Sequence, residues 1–473
     1  MIEFLKGRFP IAAYSPPNPE VVFGGRKFPS AVNDLQYDRM RELGINLVFG
    51  SGEGIGTPQE KEVFIAMELC ARRNMFYLPT DQIAREYCSN GAELPLWRDL
   101  SEAKKKDLDA RFEKSLRRYS KTAGFGGIFF CDEPGAVAFP AIAAAQKVFR
   151  RVCPDKLFYV NMFGYCVTPA QFTYGNTSAE AEPEDGFAEE PKERRYANFV
   201  RRYLQQVHPE IYSYDFYPMV TLGGIRTAVH AGMYELFNLT ADCIRASGKD
   251  IPLWCFLQAG GRWENSLNVR VPIAAEVLLQ VNALTALGAK GLEIFPYYFP
   301  ACWAADPNAE AGLVNVDGNL TDLWYCFRRA LRPLLLHGEF FGGAKYKGYL
   351  LAGKYCGLLP DEGALSTVLW NDCIYRGDLK SGIRIEHFSP ILRVESTSEL
   401  IIGCFEGERP GIFAVNNSIT NMLNATFYLE RTQRVEIWRG GRHEEKICDV
   451  LCVDALEAGD AAFVLFKGTE VEQ

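Results

Sequence analysis

The sequence predicts an α/β protein, a (β/α)8 TIM barrel followed by a smaller all-β sandwich domain, on three observations. Up to about residue 335, short apolar runs alternate with longer stretches of helical period, the order expected of β-α units around a parallel sheet. Eight such runs can be counted, and eight parallel strands close a barrel. From about residue 340 the chain changes to short β-rich segments between Gly, Asn and Asp turns, with no long helix among them. The division is drawn at 1–338 for the barrel and 339–473 for the β-domain.

The eight runs are Ile11 to Tyr14, Ile45 to Phe49, Met75 to Leu78, Gly127 to Cys131, Leu157 to Asn161, Ile211 to Tyr214, Leu253 to Leu257, and Gly291 to Phe295. Between the second and third, Thr57-Pro58-Gln59-Glu60 reads as a capping box ahead of the apolar face of Val63, Met67 and Cys70. Ser101 starts a charged amphipathic helix running to Gly124, a left-handed stop before the fourth strand, and Gly44 plays that part before the second. In the C-terminal part, Leu365 to Trp370, Gly411 to Val415 and Ala462 to Phe466 read as strands. The acid-rich stretch from Ala179 to Glu193 reads as a solvated loop after the fifth-strand region rather than a cation site.

Composition narrows the function. The 473 residues carry 51 Lys+Arg against 59 Asp+Glu, a formal charge of −8, which argues against nucleic acid as a partner. No run approaches the roughly 20 apolar residues of a membrane span, and Met1 to Arg8 has no signal-type apolar stretch. The expectation is a cytoplasmic protein without a membrane partner. Fourteen cysteines without a CxxC pair imply neither a disulfide framework nor a zinc site. Five histidines outside metal-ligand spacing add no metal centre, so no metal and no cofactor are expected. Homo-oligomerisation is left open.

In such barrels the chemistry sits at the C-terminal ends of the strands. The residues there are Asp81, Asp132, Glu133, Asp215, Tyr217, Gln258, Glu293 and Tyr297. Carboxylates dominate and lysines are absent, which weakens a Schiff-base chemistry. After the fourth strand, Cys131-Asp132-Glu133-Pro134-Gly135 places two acids before a turn, where one can have its pKa raised for proton donation. The alternative is that the two acids cap the next helix or pair with arginines. Alternation puts Asp215 and Tyr217 on one side of the sixth-strand end, an acid beside a phenol suited to a polyol, although a buried Asp satisfying loop amides fits Asp215 as well. After the seventh strand, Gly260, Gly261 and Arg262 raise a phosphate cradle, and Trp263 either stacks on a sugar or packs on its own loop. Glu293, inside the eighth run, either completes a site or balances a cation, since a buried charge is costly unless paired.

The run Gly127 to Pro134 resembles the fourth-strand Asn-Glu-Pro signature of the clan A (β/α)8 glycoside hydrolases, with Asp132 in the asparagine position. Asp215-Phe216-Tyr217-Pro218 is similar to the sixth-strand segment of their β-galactosidase-like members. So are the stretch from Pro252 through Arg270-Val271-Pro272 and Glu276 to Gly291, and Val314 to Gly318 with Thr321. The resemblance implies that Glu133 is the general acid/base. It departs at the seventh strand, where the family has a glutamate and this chain has Gln258. Three readings follow from that departure: another carboxylate, Glu264, Glu293 or Asp215, supplies the second function, with Glu293 and Asp215 preferred; the reaction inverts by way of water; or the barrel binds sugar without cleaving it.

The expected function is hydrolysis of a small oligosaccharide or glycoside by carboxylate general acid/base catalysis, with a carbohydrate as partner. Glu133, Glu293 and Asp215 are the catalytic set. Asp132, Asp81, Tyr217, Gln258, Arg262, Glu264 and the stacking residues Trp263, Tyr297 and Tyr298 are the substrate contacts. The alternative is a non-catalytic carbohydrate-binding barrel, and a phosphosugar enzyme using Gly260, Gly261 and Arg262 is third.

Overall fold

The computed structural model describes residues 5–50, 54–88, 96–176, 187–188, 192–222, 225–229, 232–264, 267–305, 309–353 and 383–467. All eight expected barrel strands form: β1 Ile11–Ala13, β2 Leu47–Phe49, β3 Phe76–Leu78, β4 Gly127–Asp132, β5 Leu157–Met162, β6 Tyr212–Tyr214, β7 Leu253–Gln258 and β8 Gly291–Phe295. They pair in parallel in the order β3-β2-β1-β8-β7-β6-β5-β4. A parallel bridge between Tyr77 and Phe125, with Gly126 N–H donating to the Tyr77 carbonyl at 2.9 Å, joins the ends and closes the barrel.

Two apolar layers follow from strand alternation. Ala12, Phe49, Leu78, Phe129, Tyr159 and Trp254 fill the interior, while Val48, Ile128, Phe130, Phe158 and Leu257 face the surrounding helices. Those helices are α1 Asp34–Leu43, α2 Glu60–Arg72, α3 Gln82–Tyr87, α4 Glu102–Tyr119, α5 Phe139–Val152, α6 Pro169–Tyr174, α7 Lys192–Gln206, α8 Gly232–Ala246, α9 Ala274–Ala286, α10 Asp322–Leu336 and α11 Gly338–Gly343. Ser101 caps α4 through the Lys104 N–H at 3.3 Å, as its sequence suggests. The helix stops at Tyr119, earlier than expected, and a turn runs on to Gly124. There φ is +82°, and a Cβ would lie 2.1 Å from the Met67 carbonyl oxygen, so only glycine fits. The expected capping box does not form: Thr57 accepts the Gly54 N–H in a preceding turn, α2 starts at Glu60, and the Glu60 carboxylate reaches back to the Gly56 N–H at 2.8 Å.

The C-terminal part is all-β. Its strands are β9 Lys345–Ala352, β10 Ile391–Ser396, β11 Leu400–Glu406, β12 Pro410–Asn416, β13 Leu423–Arg439, β14 Arg442–Leu456 and β15 Ala461–Lys467. They form one antiparallel sheet, β9-β11-β12-β15-β13-β10, with β14 on β13. The long β13 pairs with β10 through Ala425–Leu429 and with β15 through Arg434–Arg439, so a single sheet folds over its own core of Ile402, Ile412, Phe427, Leu451 and Val464. Its other face carries Phe405, Phe413 and Phe463 onto Phe341 of α11, with ring centroids 5.0 to 5.4 Å apart. Leu365 to Trp370 and most of the acid-rich Ala179 to Glu193 stretch lie outside the described residues. Among the described residues no helix is long and apolar enough to cross a membrane.

Candidate active site

A bulge in β4 decides what faces the barrel mouth. Phe129 is opposite Tyr159 of β5, but Cys131 is opposite Val160, so Phe130 is one residue extra and the inward alternation shifts by one. Asp132, rather than Cys131, therefore points inward. Its carboxylate accepts from Asn161 Nδ2 at 2.9 Å and from the Tyr14 hydroxyl. Its side chain is exposed at the open end of the barrel. Desolvation raises its pKa, against the lowering effect of those two donors.

Beneath Asp132 lies a polar chain built from three more strands. Asn161 of β5, Ser213 of β6 and Glu293 of β8 are all buried. The Ser213 hydroxyl is 2.6 Å from Glu293 Oε2, 3.2 Å from Asn161 Oδ1 and 2.9 Å from the Tyr159 hydroxyl. Glu293 has 0% of its surface exposed, and burial pushes its pKa up to about 8, aided by the nearby Asp215 and Asp132 and opposed by Ser213 and Tyr159. At neutral pH it is a neutral acid closed off from the barrel mouth. The expected role of second catalytic carboxylate calls for an ionised group that reaches substrate, whereas this carboxyl is buried with its pKa raised.

Glu133 sits on the rim, half-buried, in the left-handed region with φ +48°. Its N–H donates to the Asn161 carbonyl at 2.9 Å, and its Oε2 accepts from Asn176 Nδ2 at 3.3 Å. A non-glycine residue held in that region carries strain of about 1–3 kcal/mol and is found where neighbours fix it. Asp215 is half-buried after β6 with the Tyr217 hydroxyl 3.5 Å away. The Tyr217 ring is 5.6 Å from Phe295, which contacts Tyr14 at 5.5 Å and Trp303 at 5.6 Å. These partly exposed rings form an aromatic wall beside the carboxyls. The fold thus brings Asp132, Glu133, Asp215 and Tyr217 to one mouth.

Other expected contacts stand elsewhere. The Gln258 amide is 1% exposed: its oxygen accepts the Met219 N–H at 2.8 Å, and its nitrogen faces the carbonyls of Met219, Gly260 and Arg270 at 3.1, 3.2 and 2.6 Å. It pins two loops together and has no hydrogen left for a ligand. Asp81 is the N-cap of α3, buried and accepting the Ile83 N–H at 2.9 Å. Tyr297 is buried with its hydroxyl beside Trp324 of α10, and Tyr298 points its hydroxyl at the Gly318 turn, so neither ring lines the mouth. Gly260 and Gly261 belong to a strand, Gly260–Glu264, that pairs with Leu267–Val269 and Glu310–Ala311. A Cβ on Gly261 would lie 2.7 Å from the Val269 carbonyl oxygen, so close strand packing calls for the glycine. The side chains of Arg262, Trp263 and Glu264 lie outside the described residues.

Sequence reasoning passed over Tyr14, Asn161, Ser213, Tyr159 and Trp303. Tyr14 and Asn161 close their apolar runs and were findable by position; Ser213 and Tyr159 sit inside runs, and only the closed barrel stacks them. Among the described residues no group of three potential metal ligands occurs. A groove of about 1220 Å³ opens at the opposite end of the barrel, lined by residues such as Pro10, Lys156, Glu210, Pro252 and Lys290 that precede strands. Barrel chemistry belongs to the other end, so the site is assigned to the mouth.

No family model and no curated protein matches this chain. Among solved structures, a β-galactosidase from Bacillus circulans sp. alkalophilus is similar, at 9% identity over 99% of this chain and 100% of that one, with a TM-score of 0.59. Eubacterium rectale Amy13B is similar at 8% identity over 98% of this chain and 96% of that one, with a TM-score of 0.50. What this chain has in common with them is architecture, an eight-stranded parallel barrel followed by an antiparallel β-domain.

Proposed function

We propose that this chain is a glycoside hydrolase acting on a small oligosaccharide or glycoside. The observation that carries the reading is that Asp132, Glu133 and Asp215 share the C-terminal end of the barrel with the partly exposed rings of Tyr14, Tyr217, Phe295 and Trp303. Carboxyls hydrogen-bond sugar hydroxyls, and aromatic faces suit the apolar face of a pyranose. In this reading Glu133 gives its proton to the glycosidic oxygen as the C–O bond breaks, and ionised Asp215 faces the developing positive charge or takes a proton from the attacking water. Asp132 accepts a sugar hydroxyl. No cofactor takes part, and the scattered pattern of fourteen cysteines supports residence in the cytoplasm.

A second reading, a carbohydrate-binding barrel without turnover, draws on Gln258, whose amide is fully engaged where the resembled family has a glutamate. A screen of p-nitrophenyl glycosides on wild type, Glu133→Gln and Asp215→Asn separates the two. Hydrolysis that falls by roughly 100-fold or more in Glu133→Gln supports the hydrolase, in line with the usual weight of a general acid. Sugar binding by calorimetry without turnover of any glycoside establishes the binding barrel instead.

A further inference from the structure

We propose, building on the sugar-binding reading of the barrel mouth, that Glu293 is a positioning residue for Asp132. As a neutral acid it donates to Ser213, Ser213 passes its own hydrogen to the Asn161 carbonyl, and the Asn161 amide is locked with its N–H on Asp132.

Hydrogen counting carries this assignment. Ser213 has one hydrogen and three polar neighbours, Glu293 Oε2 at 2.6 Å, the Tyr159 hydroxyl at 2.9 Å and Asn161 Oδ1 at 3.2 Å. Asn161 Nδ2 faces the Asp132 carboxylate, so its Oδ1 faces Ser213 and requires a donor there. If Glu293 is ionised, the nearest and strongest acceptor takes the Ser213 hydrogen, and Asn161 Oδ1 is left buried without one. If Glu293 is protonated, each link has one donor and one acceptor, from β8 across β6 and β5 to β4. Asp132 then remains an acceptor, fixed by Asn161 and Tyr14, for a sugar hydroxyl.

The surroundings favour the protonated state. Among the described residues, the titratable groups facing Glu293 are Tyr159 from β5, Asp132 from β4, Asp215 after β6 and Cys255 from β7, none of them a cation. From β1 its neighbour in register is Ala12. Burial pushes the Glu293 carboxyl up to about 8, consistent with the count of hydrogens.

The test begins with thermal unfolding of the full chain, wild type against Glu293→Gln, from pH 5 to pH 9. An amide cannot ionise and supplies the donor permanently. The melting-temperature gap in favour of Glu293→Gln is expected to widen with pH up to about 8 and then level off. Glu399, also buried with its pKa raised to about 8, is present in both proteins and cancels in the difference. A gap that stays constant over this range overturns the proposal. The second measurement is the pH dependence of KM for the best p-nitrophenyl glycoside: in wild type KM is expected to rise about tenfold from pH 7 to pH 9 with a smaller change in kcat, and Glu293→Gln is expected to flatten that rise. Parallel KM profiles also overturn it. If no glycoside turns over, the hydrolase reading falls, while the unfolding comparison still decides whether folded Glu293 keeps its proton.

Discussion

The barrel rim beside β7 and the barrel floor under β4 to β8 each bury a glutamate completely, Glu276 and Glu293, and they solve the problem in opposite ways. At the rim, Arg270 grips Glu276 with two bonds of 2.7 and 2.6 Å, and Glu276 also accepts the Ile273 N–H at 2.9 Å to cap α9. On the floor, the described groups that meet Glu293 are neutral donors and other acids, and burial there pushes its carboxyl up to about 8. Burial alone does not decide the state of a carboxyl. The nearest cation does, and a group without one can serve as a hydrogen-bond donor.

The sharpest way to break this contrast is to remove the cation at the rim. Arg270→Ala leaves Glu276 buried without its partner, and chemical denaturation is expected to show a loss of about 3–5 kcal/mol at neutral pH. A loss below 1 kcal/mol would mean that the rim pair is as dispensable as a surface bridge.

The floor should respond with the opposite sign. A carboxyl whose pKa is raised on folding holds its stabilising proton fully below its unfolded value near 4.5, and that contribution is lost as pH rises through about 8. Glu293→Gln is therefore expected to be more stable than wild type at pH 8 by about 4 kcal/mol, with little difference at pH 4.5, in denaturation curves at the two pH values. Equal stabilities at both would make Glu293 an ordinary ionised residue and erase the contrast.

The smallest expected change refines the rim. Gln258→Ala removes the amide that satisfies the Met219 N–H and three loop carbonyls, and a loss of about 1–3 kcal/mol is expected for the groups left unpaired. Because the amide faces loops rather than the barrel mouth, sugar affinity measured by calorimetry should change less than threefold, whereas a Gln258 that touched ligand would lose affinity by tenfold or more.

Much of the architecture was determined by the sequence alone. Eight apolar runs became eight barrel strands, and the change of pattern near residue 340 marked the antiparallel domain, because side-chain periodicity is a local property that any buried strand or helix must obey. Ser101 as a cap and Gly44 and Gly124 as left-handed positions are local in the same way. The site was only half legible. That acids close β4 and β6 could be read from the runs, but the one-residue bulge that turns Asp132 inward and lifts Glu133 to the rim leaves no mark on the alternation. Nor could the sequence tell that Gln258 is consumed by loop backbone, or that Asn161, Ser213 and Glu293 lie in line. Hydrogen bonds between four strands depend on barrel register and depth, and these exist only once the sheet has closed.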